Sequence, residues 1–250
     1  MIKMHLKNQF SHFISILAFL LLAQPAHAEL IWYTNLDQNT GTTVTPNVGA
    51  QTCTFTNSPT WTTGKFNFGI DFDASTSDYL NCGTSHITST NDWAIAAWIK
   101  LEASGSYRAI VISGDDDATA LSGGNTHITN SDKLRCIATV GTNSVATATS
   151  VASIDETGAV WTHVGCKKVG TAVTAWINGS QDGSATASSA TMDYTADAVV
   201  FRIGSFATVG SGAFLGQIDE VRIYDADIDM AVVYALDPRS RRPIPPIYLQ

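Results

Sequence analysis

Apolar and polar residues alternate along most of the chain beyond residue 28, and the period is two. Phe66, Phe68, Ile70 and Phe72 alternate with Asn67, Gly69, Asp71 and Asp73, the pattern of a strand with one buried face. Leu30 to Tyr33, Trp93 to Leu101, Arg108 to Ser113, Leu134 to Val140, Val160 to Lys168, Val199 to Ile203 and Phe214 to Tyr224 are further strand candidates. Val173, Ala175 and Ile177 alternate as well. Asn178-Gly179 follows them, two residues that tolerate the positive φ a type I′ hairpin turn requires. One segment changes period. Ile228, Ala231, Val232 and Ala235 fall on one side of a helix reaching Leu236, with Asp227 or Asp229 to cap it and Pro238 to end it. Many strands and one terminal helix predict an all-β fold: an antiparallel two-sheet sandwich of jelly-roll type with a short C-terminal helix. Two stretches read as loops. One is Gly41 to Gly64, rich in Thr, Asn and Pro; the other is Gly114 to Asn130, with Asp115-Asp116-Asp117 and Gly123-Gly124.

The first 28 residues follow a different logic. Lys3 and Lys7 precede an apolar run from Phe13 to Ala23, and Ala26-His27-Ala28 closes it. A charged start, a short apolar core and an A-x-A exit are the marks of a cleaved secretory signal, with Glu29 as the new N-terminus. The core is about half the roughly 20 residues a membrane span needs, and no later segment is long or apolar enough. The chain then divides into a signal (1–28), one domain (29–237) and an extended tail (238–250) that holds three arginines and four prolines. The expected location is secreted, extracellular or periplasmic.

Composition narrows the partners. The formal charge is −8, and only 14% of residues are charged. An acidic chain is repelled by phosphate backbones, so nucleic acid is not an expected partner. Cys53, Cys82, Cys136 and Cys166 all follow the signal. An even count in an exported chain reads as two disulfides. Three pairings are open. The favoured one is Cys53–Cys82 with Cys136–Cys166, each closing a loop worth roughly 3 to 4 kcal/mol on the chain-entropy model.

Several motifs then come in a recognisable order. They are Ile31-Trp32-Tyr33, Asn39 to Val44, Gly64 to Asp73, Asp78-Tyr79-Leu80, Trp93 to Lys100, Trp161-Thr162-His163-Val164, Ala175 to Gly179, and Phe214 to Tyr224 with Ile218-Asp219-Glu220-Val221 at its centre. Together they resemble the laminin-G-like jelly rolls of the concanavalin A-like lectin/glucanase superfamily, over nearly the whole of 30–236. The resemblance implies two antiparallel sheets packed face to face. It does not imply one function, since members bind glycans or proteins, cap exported proteins or serve as adhesins.

The superfamily also contains glycoside hydrolases, which carry E-x-D-x-E on one strand so that three carboxylates share a face. Here Asp219 and Glu220 are adjacent. Simple alternation sends them to opposite faces, groups Asp219 with Val221 and Ile223, and pairs Glu220 with Arg222. This spacing argues against glycosidase chemistry, and no catalytic residue is assigned. Asp71 and Asp73 share a face but read as the polar side of their strand. Asp225-x-Asp227-x-Asp229 mimics the start of a calcium loop but lacks its glycine and final glutamate. The resemblance implies a calcium ion at one rim, and Asp115, Asp116 and Asp117 are the best local ligand cluster, against a solvated acidic loop. Trp61 and Tyr107 lie in irregular surroundings and suit either loop packing or stacking on a sugar. The resulting expectation is an exported non-catalytic module that binds a glycan or a cell-surface or extracellular protein, with calcium optional and no required cofactor. The alternatives are a structural or adhesive surface or virion protein, and a glycoside hydrolase.

Overall fold

The computed structural model describes residues 28–84, 87, 91–103, 105–116, 121–141, 144–194, 200–206 and 212–236. The expected signal, the tail with Pro238, and Asp117 lie outside this set, apart from Ala28. The described chain forms two antiparallel sheets and one helix.

Sheet A contains β1 (Leu30–Thr34), β4 (Thr60–Thr63), β5 (Phe68–Phe72), β7 (Trp93–Leu101), β12 (Thr162–Val169), β13 (Ala172–Ile177), β14 (Ser180–Thr186) and β16 (Gly216–Tyr224). Its order is β14-β13-β12-β7-β16-β5-β4, and β1 also pairs with β16. Sheet B contains β2 (Thr43–Val44), β3 (Cys53–Thr56), β6 (Tyr79–Thr84), β8 (Arg108–Asp116), β9 (Leu121–Ile128), β10 (Lys133–Val140), β11 (Ser144–Ser153) and β15 (Val200–Ile203). Its order is β11-β10-β9-β8-β15-β6-β3-β2. Helix α1 (Met230–Ala235) follows β16.

The core lies between the sheets. Sheet A contributes Ile70, Phe72, Trp93, Ile95, Ile99, Val164, Val173, Ile218, Val221 and Ile223, and sheet B contributes Leu80, Val111, Ile128, Leu134, Ala138, Phe201 and Ile203. Alternation explains this division, because every second residue of a strand faces its partner sheet. Cys53–Cys82 joins neighbouring strands within sheet B, whereas Cys136–Cys166 crosses the core from β10 to β12. These are the favoured pairings. Edges β11 and β14 meet along one side, where the Ala152 N–H donates to Asp182 Oδ2 at 2.8 Å. The sandwich thus covers two of its edges with each other.

Four expectations are corrected. The stretch 114–130 is not a loop, because β8 runs on to Asp116 and β9 returns from Leu121. Its glycines serve close packing. A Cβ on Gly124 would lie 2.5 Å from the Trp93 ring, and one on Gly123 would lie 2.2 Å from the Ser113 carbonyl oxygen. The stretch 41–64 holds three short strands, β2, β3 and β4. Phe66 leaves the Ile70–Phe72 face, since Asn67 has a φ of 52° and turns the chain; its ring packs edge-on against Trp98 instead. The helix buries Met230 and Val233, not the Ala231 and Ala235 side. Asp229 caps it, accepting from the Ala231 N–H at 2.9 Å. The Asn178-Gly179 turn has φ values of 50° and 77°, both positive as expected.

Candidate functional site

The sandwich has two outer faces, and each gathers chemistry. On sheet A the decisive feature is a β-bulge in β16. Asp219 pairs with Trp98 of β7, but the next pair is Arg222 with Ala96, so one extra residue enters β16. Glu220 takes a φ of 55° within it. The extra residue resets alternation. Ile218, Val221 and Ile223 all enter the core, while Arg222 and Tyr224 pair with Ala96 and Ala94, on the side where Ala94, Ala96 and Tyr224 pack against α1. Asp219, Glu220 and Arg222 therefore share the outer side. The expectation that Asp219 and Glu220 point to opposite faces fails, because alternation holds only in an unbroken ladder.

The bulge sits where β16 changes partner. Residues Gly216 to Ile218 pair with β5, and Val221 to Tyr224 pair with β1. The end of β1 and the start of β5 meet there and leave backbone groups without ladder partners. Carboxylates stitch the junction. Asp219 Oδ2 accepts from the Phe66 N–H at 3.0 Å, and Asp37 Oδ1 accepts from the Phe68 N–H at 3.1 Å. Glu220 Oε2 accepts from Arg222 at 2.6 Å and from the Tyr33 hydroxyl at 2.9 Å, so the expected Glu220–Arg222 pair is present. Both carboxylates are 0% exposed. Burial, reinforced by the Glu220 charge and opposed by the Phe66 hydrogen bond, pushes Asp219 up to about 8. Burial also raises Glu220, against the pull of Arg222. Trp98, His163 and Tyr234 stack over the same side. Burial, with Arg222 nearby, pushes His163 down to about 3.

The outer face of sheet B is built differently. Cross-strand partners share a face. One row runs Thr54, Asn81, Arg202, Ile112, Asn125, Ile137 and Thr147, and the row behind it holds Ala109, His127, Arg135 and Thr149. Thr139 lies on this face too, opposite the exposed Val145. At the rim, His127 sits between Tyr107 and Phe206, with ring centroids 5.9 and 5.3 Å away. The Arg135 guanidinium lies 5.6 Å from the Tyr107 ring. Tyr107 is 41% exposed, whereas Asn125 and His127 are 1% and 3% exposed. Asn125 Oδ1, His127 Nδ1, Thr139 Oγ1 and Arg135 Nε are buried and have no hydrogen-bond partner. Burial, helped by the Arg135 charge, pushes His127 down to about 3, so its ring is neutral near pH 7. Most buried polar groups in native proteins are paired. Unpartnered atoms also occur on the sheet A side, at Asp219 Oδ1, Glu220 Oε1 and both His163 ring nitrogens, but those on sheet B lie beside the exposed Tyr107 ring.

Two other acidic motifs are engaged locally. Asp225 accepts from the Glu29 N–H, Asp227 pairs with Lys167, and Asp229 caps α1. Asp73 accepts from the Ser75 N–H. Asp115 and Asp116 are ladder residues opposite Ser122 and Leu121. Among the described residues no three His, Cys, Asp or Glu side chains gather as a metal site requires. Trp61 is half-buried, 5.4 Å from the Phe55 ring, with its indole N–H donating to the Gly41 carbonyl. Tyr107 was legible as an irregular aromatic and Thr139 as part of the Leu134–Val140 strand; Asn125 and His127 were not, because they stand in a Gly-, Ser- and Thr-rich stretch.

The model of the concanavalin A-like lectin/glucanases superfamily, in its laminin-G-like form, matches residues 73–233. The chain belongs to that family. No curated protein sequence matches it. Solved structures share this laminin-G-like fold. Domain 4 of AbnA, a GH43 extracellular arabinanase from Geobacillus stearothermophilus solved with arabinotriose, is 18% identical with a TM-score of 0.60, covering 83% of this chain and 98% of that one. The receptor-binding domain of botulinum neurotoxin mosaic serotype C/D is 15% identical with a TM-score of 0.61, covering 82% and 50%. Trypanosoma rangeli sialidase is 9% identical with a TM-score of 0.58, covering 82% and 32%. The laminin-G-like chain thus spans half of the toxin domain and a third of the sialidase. At these identities the likeness concerns the fold, and the neighbours include both enzymes and binding domains. The two disulfides fit an oxidising compartment, and no described helix is long and apolar enough to cross a membrane.

Proposed function

We propose that this laminin-G-like chain is an exported, non-catalytic binding module that holds a glycan on the outer face of sheet B. The observation that carries this reading is the set of buried, unpartnered polar atoms on Asn125, His127 and Thr139 beside the Tyr107 ring. Sugars offer what such a face lacks: hydroxyls that both donate and accept, and apolar ring faces that stack on aromatic side chains. The similar AbnA domain, solved with arabinotriose, supports a sugar ligand. The carboxylates that would have to act in hydrolysis, Asp219 and Glu220, are fully buried and engaged in stitching β16 to its neighbours, which supports binding without turnover. Calcium is optional in this reading, with Asp115, Asp116 and Asp117 as its candidate ligands, and the signal ending at Ala28 supports export.

A glycan array probed with the folded protein, with and without calcium, tests the reading. The expected result is binding to a restricted glycan class that Tyr107→Ala and Asn125→Ala each abolish or weaken at least tenfold, with unchanged unfolding midpoints. An array without any bound glycan would overturn it in favour of the structural or adhesive alternative. Release of reducing sugar from a bound glycan would overturn the non-catalytic part.

A further inference from the structure

Resting on the glycan reading, we propose that the ligand is an acidic sugar whose carboxylate is received by Arg135. Four arginines lie among the described residues. Arg222 is paired with the Glu220 carboxylate, Arg108 donates to the Ala213 carbonyl, and Arg202 donates to the Phe206 carbonyl. The Arg135 guanidinium donates to no described acceptor; its Nε is buried without a partner. A guanidinium stays charged at any physiological pH, and leaving its donors unmet in a desolvated place is costly. Its Nε and Nη donors form a planar fork that matches the two oxygens of a carboxylate. The Tyr107 ring lies 5.6 Å from the guanidinium carbon, a cation–π contact that keeps the fork beside the exposed aromatic.

The surroundings favour a singly charged acid group. His127 is directly opposite Arg135 in the ladder, and burial holds it neutral, so it adds a hydrogen-bonding atom but no second positive charge. Asn125 is two residues further along β9, about 7 Å at the rise of a strand. A pyranose seated against Tyr107 with its carboxylate on Arg135 then presents hydroxyls toward His127 Nδ1 and Asn125 Oδ1, directly or through one bridging water. The chain's formal charge of −8 opposes the approach of any acid. A local, unpaired guanidinium is therefore what would convert an unfavourable encounter into a selective one.

Titration calorimetry on two matched pairs tests this: trigalacturonate with its carboxyl-reduced form, and sialyllactose with lactose. The expected result is that one acidic member binds at least tenfold more tightly than its neutral partner. Arg135→Gln should abolish that preference, and Arg135→Lys should not restore it, because an ammonium keeps the charge and loses the fork. Both variants should unfold close to the midpoint of the parent, since the Arg135 guanidinium makes no hydrogen bond or ion pair among the described residues and packs on the exposed Tyr107 ring. Whichever pair shows the preference identifies a uronate or a sialic acid as the source of the carboxylate. Equal affinity for acidic and neutral members, or array binding confined to neutral or sulfated glycans, would overturn this inference and leave the glycan reading standing. An array with no bound glycan would remove both.

Discussion

The two outer faces of the sandwich are made from similar residues and engage them differently. On sheet A, buried charges find each other: Glu220 meets Arg222 and Tyr33, and Asp219 and Asp37 take the backbone N–H groups left over where β5 gives way to β1. On sheet B, Asn125, His127 and Thr139 are buried and Arg135 is half-buried, each with a buried polar atom that has no hydrogen-bond partner. Sheet A keeps unpartnered buried atoms as well, among them Asp219 Oδ1, Glu220 Oε1 and both His163 ring nitrogens; what differs is that its carboxylates also hold the strand junction together, through the Phe66 and Phe68 N–H groups. The difference separates the face whose carboxylates hold strands together from the face on which a glycan is proposed to bind.

The largest expected effect is on sheet A. Glu220→Ala leaves the Arg222 charge buried without its partner and should cost about 3–5 kcal/mol, read from the urea midpoint. A loss near zero would show that the cluster is not structural. The second effect is on pH. Asp219 has a folded value of about 8, above its ordinary 3.8, so it favours folding at low pH and loses that contribution as pH rises through 8. Glu220 is also raised and acts in the same sense. His127 and His163 are depressed to about 3 from 6.5, so their contribution is present above 6.5 and lost as pH falls toward 3. Below 6.5 the two histidines offset the two carboxylates; above it the histidines no longer change and Asp219 still does, so stability should begin to fall there. Above it, stability should fall by up to about 1.4 kcal/mol per pH unit for each proton released. Asp219→Asn should flatten that alkaline limb in a series of denaturant titrations. The smallest effect is on sheet B. Thr139→Val removes a buried hydroxyl without a partner at nearly constant volume, so it should change stability by no more than about 1 kcal/mol. On a glycan array the same variant should bind more weakly than the parent. A marked loss of stability instead would place Thr139 in the framework and blur the contrast between the faces.

Much of the framework was readable before any coordinates. Strict alternation at Ile70 and Phe72, the Asn178-Gly179 turn and the pairing of four cysteines all follow from rules that act over a few residues or over loop lengths. The bulge at Glu220 was not readable, because it comes from a change of partner strand that sequence alternation does not record. That one inserted residue reversed which side chains accompany Asp219. The ligand face was hidden for another reason. In β9 and β11 the side chains are largely Gly, Ser, Thr and Ala, which give weak strand signals, and glycines needed for the Trp93 ring and the Ser113 carbonyl look like loop residues. Arg135 and Thr139 were placed on a strand, but only the ladder shows that His127 and Asn125 stand beside them.

The bond from Cys136 to Cys166 has a consequence for recognition. Cys136 is the residue next to Arg135, and its partner lies on the opposite sheet. β10 is thus anchored through the core beside the guanidinium, so the direction of that side chain is settled when the protein folds and oxidises, before any ligand arrives. A receptor prepared in this way gives up little motion on binding. Reducing the bond in a chain that stays folded should leave the ligand's arrival rate almost unchanged and shorten its residence time, making the redox state of the surroundings a silent determinant of grip.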